Sequence, residues 1–145
     1  TIEYAVLKLG VQDIIICGHS LCGAMENLLD EESLKEAPAC EAWLQYAGDA
    51  KRITKENYKH LREKIDLISI AVQENVLTQL EHLRTHPCVA DKLSRGDLHL
   101  HGWIYKIETG DVFAYDPTES QFLPINETHG LTEDAIPKLI GGPSI

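Results

Sequence analysis

Ile14-Ile15-Ile16-Cys17-Gly18-His19-Ser20-Leu21-Cys22-Gly23 is an apolar run that opens into a short polar loop. Residues 12–17 predict a strand that is apolar on both faces, as in a parallel sheet with helices above and below. The loop carries an imidazole and a thiol three residues apart, His19 and Cys22. Open α/β sheets hold their ligands just beyond the carboxyl ends of the strands, which is where this pair falls. Gly18 and Gly23 bracket the loop, and their lack of a side chain is expected to let the backbone approach an ion or ligand closely.

Outward from this stretch, residues 1–9 read as a helix, with Thr1 as a cap, Ile2, Val6 and Leu9 as an apolar stripe and Gly10 as the stop. The pattern turns helical again from Leu21 to Leu29. A further helix is expected over 40–53, with Trp43, Leu44 and Ala47 on one side. A long helical region runs from about Asn57 to Thr85. Its stripe is Leu61, Ile65, Ile68, Val72, Val76, Leu80 and Leu83, spaced three or four apart, with Asp66 as a candidate break. Arg84 and His86 mark its C-terminal end, and Pro87 follows.

The period then changes to two. Leu98, Leu100, Gly102 and Ile104 alternate with His99, His101, Trp103 and Tyr105. Glu108-Thr109-Gly110-Asp111 reads as a turn, and Val112-Phe113-Ala114-Tyr115 as the returning arm of a hairpin. After Asp116-Pro117 the signal fades, and 117–145 reads as a loop-rich tail. The order predicts one α/β domain over 1–145, with a parallel-core sheet, flanking helices and a C-terminal hairpin strand pair at the sheet edge. A chain that starts at a helix cap, one short helix before its best motif, looks cut from something longer.

With 145 residues and 43% hydrophobic side chains, a single core can form. The net charge of −10 argues against nucleic acid and against an anionic membrane surface as partners. No apolar run approaches the ~20 residues of a membrane-spanning helix. Four cysteines at irregular spacing do not form a disulfide framework, which points to the reducing cytoplasm. Cys17 and Cys88 are expected to be buried as small hydrophobes, and Cys40 to have no special role.

Three chemistries compete for the loop. The first is a metal site, because imidazole and thiolate are the side chains zinc prefers. Taken alone, the H-x-x-C spacing is a weak signal, and two ligands do not complete a zinc site. The second is a serine hydrolase. Gly18-His19-Ser20 resembles the start of a nucleophile elbow, and Asp116 and His129 follow Ser20 in a suitable order. Against it, Cys22 stands where the elbow wants Gly, and only one helix precedes the strand to offer a second oxyanion donor. The third is a Cys22 nucleophile at a helix start, activated by the helix dipole and by His19.

Other residues have plainer readings. His99 and His101 share a strand face and form a candidate metal pair, but half-buried, hydrogen-bonded histidines are the simpler expectation. Trp103 and Tyr105 suit a core or a subunit interface. Glu74 and Asn75 interrupt the long helix and could orient a loop or a partner, with a solvated helix face as the equal reading. His60, His82 and His86 read as surface residues.

Taken together, these motifs resemble the β-class carbonic anhydrases. Ile2-Glu3-Tyr4-Ala5-Val6, Leu9-Gly10-Val11 and Ile16 to Met25 are similar to that family's second signature. Glu74-Asn75-Val76, Gln79 and Leu83 resemble its interface helix, and Leu100-His101-Gly102-Trp103-Ile104-Tyr105 with Thr109-Gly110 its late hairpin. The match runs in order over residues 1–116. The Gly-Ala-Met variant and the long stretch 30–60 look most like the plant and cyanobacterial branch, which leaves a carboxysome or plastid open beside the cytoplasm.

The resemblance implies His19 and Cys22 as ligands of Zn2+, with Ser20 a loop residue. It implies reversible hydration of carbon dioxide to bicarbonate by zinc-bound hydroxide, and a homodimer or higher homo-oligomer. The family's first signature, C-x-D-x-R, occurs nowhere in these residues. The other zinc cysteine and the catalytic Asp/Arg pair are therefore expected upstream, in a longer parent enzyme, and this chain alone is expected to be inactive. The competing class is a non-catalytic relative that serves as a binding or oligomerisation module.

Overall fold

The protein is described here by a computed structural model, which defines residues 1–30, 32, 34–61 and 63–125. The opening helix forms as expected. Helix α1 (Ile2–Tyr4) continues as a π-helical turn over Ala5–Leu9. Gly10 ends it at φ 64°, a left-handed conformation that glycine adopts at little steric cost. Strand β1 (Asp13–His19) runs beyond its apolar stretch, so His19 is the last strand residue rather than a loop residue. Helix α2 (Gly23–Leu29) follows at once.

The helix expected over 40–53 divides into α3 (Pro38–Leu44), a 3-10 turn over Gln45–Ala47 and α4 (Gly48–Asn57). The long helix α5 (Lys64–Arg84) starts later than its stripe suggested. Asp66 lies in its first turn, where a carboxylate complements the helix dipole, and marks no break. Pro87 opens a further helix, α6 (Pro87–Ser94), that the reading above does not contain. Proline at the first helical position was its signal.

Strands β2 (His99–Tyr105) and β3 (Val112–Asp116) form the expected hairpin, and β4 (Gln121–Pro124) lies in the stretch read as tail. The remainder of that tail, 126–145, lies outside the described residues. The sheet order is β1-β2-β3-β4. β1 pairs parallel to β2 with Asp13 opposite His99 and His19 opposite Tyr105. β2, β3 and β4 are antiparallel.

Helix α5 is the shared spine of two core clusters. Its first half contributes Ile68, Ala71 and Val72 to a cluster with Met25, Leu28, Leu34, Leu44 and Ala47. Its second half contributes Val76, Leu80 and Leu83 to a cluster with Val6, Val89, Leu98 and Leu100. Burying each aliphatic side chain of this size contributes roughly 1.5–3 kcal/mol. The stripe is therefore committed to the core, and only its first member in the helix, Ile65, is largely exposed.

Two glycines set how closely α5 lies on the sheet. A Cβ on Gly18 would sit 2.7 Å from Val72 Cγ1 and 2.9 Å from Val76 Cγ2. A Cβ on Gly102 would sit 3.0 Å from both Leu80 Cδ1 and Val76 Cγ1. The close approach that Gly18 permits is thus to a helix, not to an ion, and a Cβ on Gly23 would meet nothing within 4 Å.

Only one face of β1 is packed among the described residues. Ile14, Ile16 and Gly18 turn toward α5, while Asp13, Ile15, Cys17 and His19 alternate onto an exposed face. The expectation of helices on both sides, and of a buried Cys17, therefore does not hold here: Ile15 is 44% exposed. Cys88 packs beside the second cluster, and Cys40 is exposed. Trp43 also departs from its expected inward side, at 65% exposed, because the helix breaks before Ala47 and only Leu44 and Ala47 turn inward.

Gly18→Ala is expected to destabilise by about 1–3 kcal/mol through overpacking against Val72 and Val76. Gly48→Ala, at the open start of α4, is expected to be neutral or stabilising by up to about 1 kcal/mol. Denaturant melts of the two variants check the contrast.

Candidate metal centre

His19 and Cys22 come from two elements joined by one tight turn. His19 closes β1, and Cys22 is the N-cap of α2 with extended backbone angles (φ −72°, ψ 108°). Between them Leu21 takes φ 54°, the left-handed region that a branched side chain enters at a cost of roughly 1–2 kcal/mol. Leu21 thus lies in the turn that joins the end of β1 to the N-cap of α2. Cys22 makes no capping hydrogen bond, and it packs half-buried against the cluster of Met25, Leu28 and Val72. The helix behind it is tied to α5 by those side chains and by the ion pair of Lys64 Nζ with Glu26 Oε1 at 2.6 Å. Glu26 raises the Lys64 pKa through this hydrogen bond and its charge.

The His19 ring is oriented by its neighbour. Nδ1 lies 2.8 Å from the Ser20 carbonyl oxygen. A carbonyl only accepts, so Nδ1 carries the proton, and Nε2 of the neutral ring is left with its lone pair for a cation. Ser20 is itself anchored. Its N–H donates to Tyr105 O at 2.9 Å, which extends the β1–β2 ladder by one residue. Its hydroxyl accepts from Ile107 N–H at 2.9 Å and donates to the Glu108 carboxylate. The Ser20 hydroxyl, and then the backbone N–H of Glu108 itself, hold that carboxyl below its ordinary pKa. Neither Ile107 nor Glu108 was singled out by sequence. They lie far along the chain, and only the register of His19 with Tyr105 brings them here.

The donor set suits zinc in kind, an imidazole nitrogen and a sulfur, but not in number. Among the described residues no group of three or more His, Cys, Asp or Glu converges to hold a metal. His99 and His101 do not form a metal pair. His101 is buried and its Nε2 lies 2.8 Å from Asp13 Oδ1, while His99 Nδ1 is 3.7 Å from the same oxygen. The hydrolase partners fare no better. Asp116 Oδ1 accepts the Thr118 N–H, Ser20 donates to Glu108, and His129 lies outside the described residues. Glu74 accepts a hydrogen bond from Tyr58 Oη at 2.9 Å and so holds the segment before α5, while Asn75 accepts one from Gln79. The bond to Glu74, and then burial, raise the Tyr58 pKa. Trp103 is half-buried and Tyr105 is 41% exposed, on the open sheet face.

Fold and site define an α/β protein with a strand-end His/Cys pair suited to a borderline metal. The chain belongs to the β-carbonic anhydrase family: the family model described as carbonic anhydrase matches residues 1–112. The carbonic anhydrase of Synechocystis sp. is 50% identical over 122 residues, covering 83% of this chain and 44% of its own. That of Pseudomonas aeruginosa is 44% identical, covering 88% of this chain and 57% of its own. The solved structure of the β-carbonic anhydrase CcaA matches with a TM-score of 0.81 and 49% identity, over 84% of this chain and 59% of its own. One of the tetrameric β-carbonic anhydrases of Sordaria macrospora matches with a TM-score of 0.71 and 25% identity, over 78% of this chain and 56% of its own. The chain spans about half the length of the curated relatives it matches.

Two outcomes are expected at this loop. Leu21→Val, β-branched at a left-handed position, destabilises by about 1 kcal/mol or more, while Leu21→Asn stays within about 0.5 kcal/mol, as read by denaturant melts. A lowered folded pKa means that Glu108 contributes stability above the ordinary carboxylate range and loses it as pH falls through the lowered value. Carboxyl NMR titration of Ser20→Ala should return Glu108 toward the ordinary range.

Proposed function

We propose that His19 Nε2 and Cys22 Sγ are two ligands of a zinc ion, and that the complete protein interconverts carbon dioxide and water with bicarbonate and a proton. The observation that carries this reading is the ring orientation at the end of β1: the Ser20 carbonyl engages Nδ1, leaving the Nε2 lone pair available to a cation, with Cys22 three residues on in the chain. Membership of the β-carbonic anhydrase family supports the choice of metal and reaction. Zinc, when bound, supplies a water whose pKa is lowered to roughly 7 and can attack an electrophilic carbon.

The chain's own residues hold and orient. β1 and the Ser20 carbonyl set the imidazole. The Leu21 reversal and the packing of α2 on α5 set the thiolate. The remaining ligands, and the Asp/Arg pair that the resemblance implies, would come from residues outside these 145, in keeping with relatives about twice as long. A homo-oligomer is part of the same reading. It is supported by the tetrameric assembly named for the Sordaria macrospora enzymes and by the exposure of Trp43 and Tyr46. Among the described residues no helix is long and apolar enough to cross a membrane. A cytoplasmic, carboxysomal or plastid setting belongs to the same proposal.

Metal analysis and stopped-flow hydration of carbon dioxide test the assignment. In the full-length protein, His19→Ala and Cys22→Ala should each lower zinc retention and kcat/KM by more than the roughly 10–100-fold that outer-shell changes cost. The isolated 145-residue segment should hydrate no carbon dioxide above background. Full zinc and activity in Cys22→Ala, with activity abolished in Ser20→Ala at saturating zinc, would overturn the assignment.

A further inference from the structure

Four hydrogen bonds meet at Ser20, and together they leave it no rotational freedom. The backbone N–H is held by Tyr105 O at 2.9 Å, and the carbonyl is held by His19 Nδ1 at 2.8 Å. The hydroxyl donates its single proton to Glu108 and accepts from Ile107 N–H at 2.9 Å. A hydroxyl that both donates and accepts has a fixed rotor. The bond to a carboxylate is charge-assisted and so stronger than one to a neutral acceptor.

The partner side of this clasp is also rigid. Ile107 and Glu108 lie in the turn between β2 and β3, which is held by its own bonds. Lys106 N–H donates to Asp111 O and Gly110 N–H to Lys106 O, both at 2.8 Å. Thr109 Oγ1 bonds Asp111 Oδ2 at 2.6 Å, and Gly110 takes φ 80°, where glycine is at ease. The clasp therefore ties the His19–Cys22 loop to a closed turn on a strand 88 residues away in sequence.

We infer that Ser20 and Glu108 are positioning residues for the metal ligand His19: by holding the Ser20 N–H and hydroxyl, the clasp fixes the residue whose carbonyl meets Nδ1 and so sets the tautomer and plane of the imidazole. This rests on the zinc reading above. A ligand histidine whose second nitrogen has a fixed partner binds metal more tightly than one whose ring turns freely. Here that partner is the chain's own next carbonyl, which a free loop would not hold in one direction. The residue that follows, Leu21, is already in a left-handed conformation, so without the clasp the loop would relax toward ordinary backbone angles. Glu108 accepts from the Ser20 hydroxyl, and it is through Ser20 that it acts on His19 in this account.

The test uses the full-length protein, with zinc as the only ligand and a chelator to capture it on release. Relative to the parent, zinc release from Ser20→Ala and Glu108→Ala should quicken about 10–100-fold, while Ser20→Thr, which restores the hydroxyl, should stay within about threefold. The His19 Nδ1 proton in the zinc-loaded protein should exchange with water at least tenfold faster in Ser20→Ala, in line with the same loss of orientation. A merely structural staple would lower the melting temperature of the metal-free protein and leave both rates at parental values, and that result would overturn the inference alone. A parental protein that binds no zinc would overturn the zinc reading and the inference together. Should Ser20→Ala fail to fold, Glu108→Ala against Ser20→Thr carries the same comparison.

Discussion

The contact on which the rest depends is the seating of α5 against β1 and β2. Val72, Val76 and Leu80 reach the strand backbones where Gly18 and Gly102 offer no side chain, and any Cβ there would press on them at 2.7–3.0 Å. This contact does two things at once. It draws the spine of both core clusters onto the sheet, and it fixes the strand segment immediately before His19. Because Val72 also packs with Met25 and Leu28 of α2, the same helix sets where Cys22 stands. Both candidate ligands are thus referred to one rigid body, although they lie on different elements.

Precision at the loop is then a local matter. The strand delivers His19, the left-handed Leu21 reverses the chain, and the helix receives it at Cys22. Such a short connection has few conformations, and Leu21 is held in the left-handed region at some cost. Histidines that bind metal commonly have a partner on the second ring nitrogen, as His19 Nδ1 has in the Ser20 carbonyl. The bonds at this loop also commit the Ser20 hydroxyl, whose proton goes to the Glu108 carboxylate and whose lone pair takes the Ile107 N–H.

Local, periodic features were legible in the sequence. The alternation from Leu98 to Tyr105 and the stripe of the long helix each report on neighbours a few residues apart, and they became a strand and a helix. The motifs of residues 1–116 also carried the family. What the sequence hid depends on distant partners or on what covers a surface. Ile15 and Cys17 look as apolar as Ile14 and Ile16, yet the described residues place packing on one side only. The four-residue strand β4 is too short to show a period, and exists because Ala114 and Tyr115 offer a ladder to Leu123 and Phe122. Gly18 read as a ligand-side glycine because spacing alone cannot say which neighbour approaches it. Glu108 read as part of a turn, and it became part of the site only through strand register.

The central claim is that His19 and Cys22 bind one zinc ion together. X-ray absorption at the zinc edge of the full-length protein tests it most directly. A His19–Cys22 half-site requires an imidazole nitrogen shell at about 2.0–2.1 Å and a sulfur shell at about 2.3 Å, with one sulfur lost in Cys22→Ser and the imidazole scattering reduced in His19→Gln. A zinc shell unchanged by either substitution, or one made of oxygen alone, would contradict it.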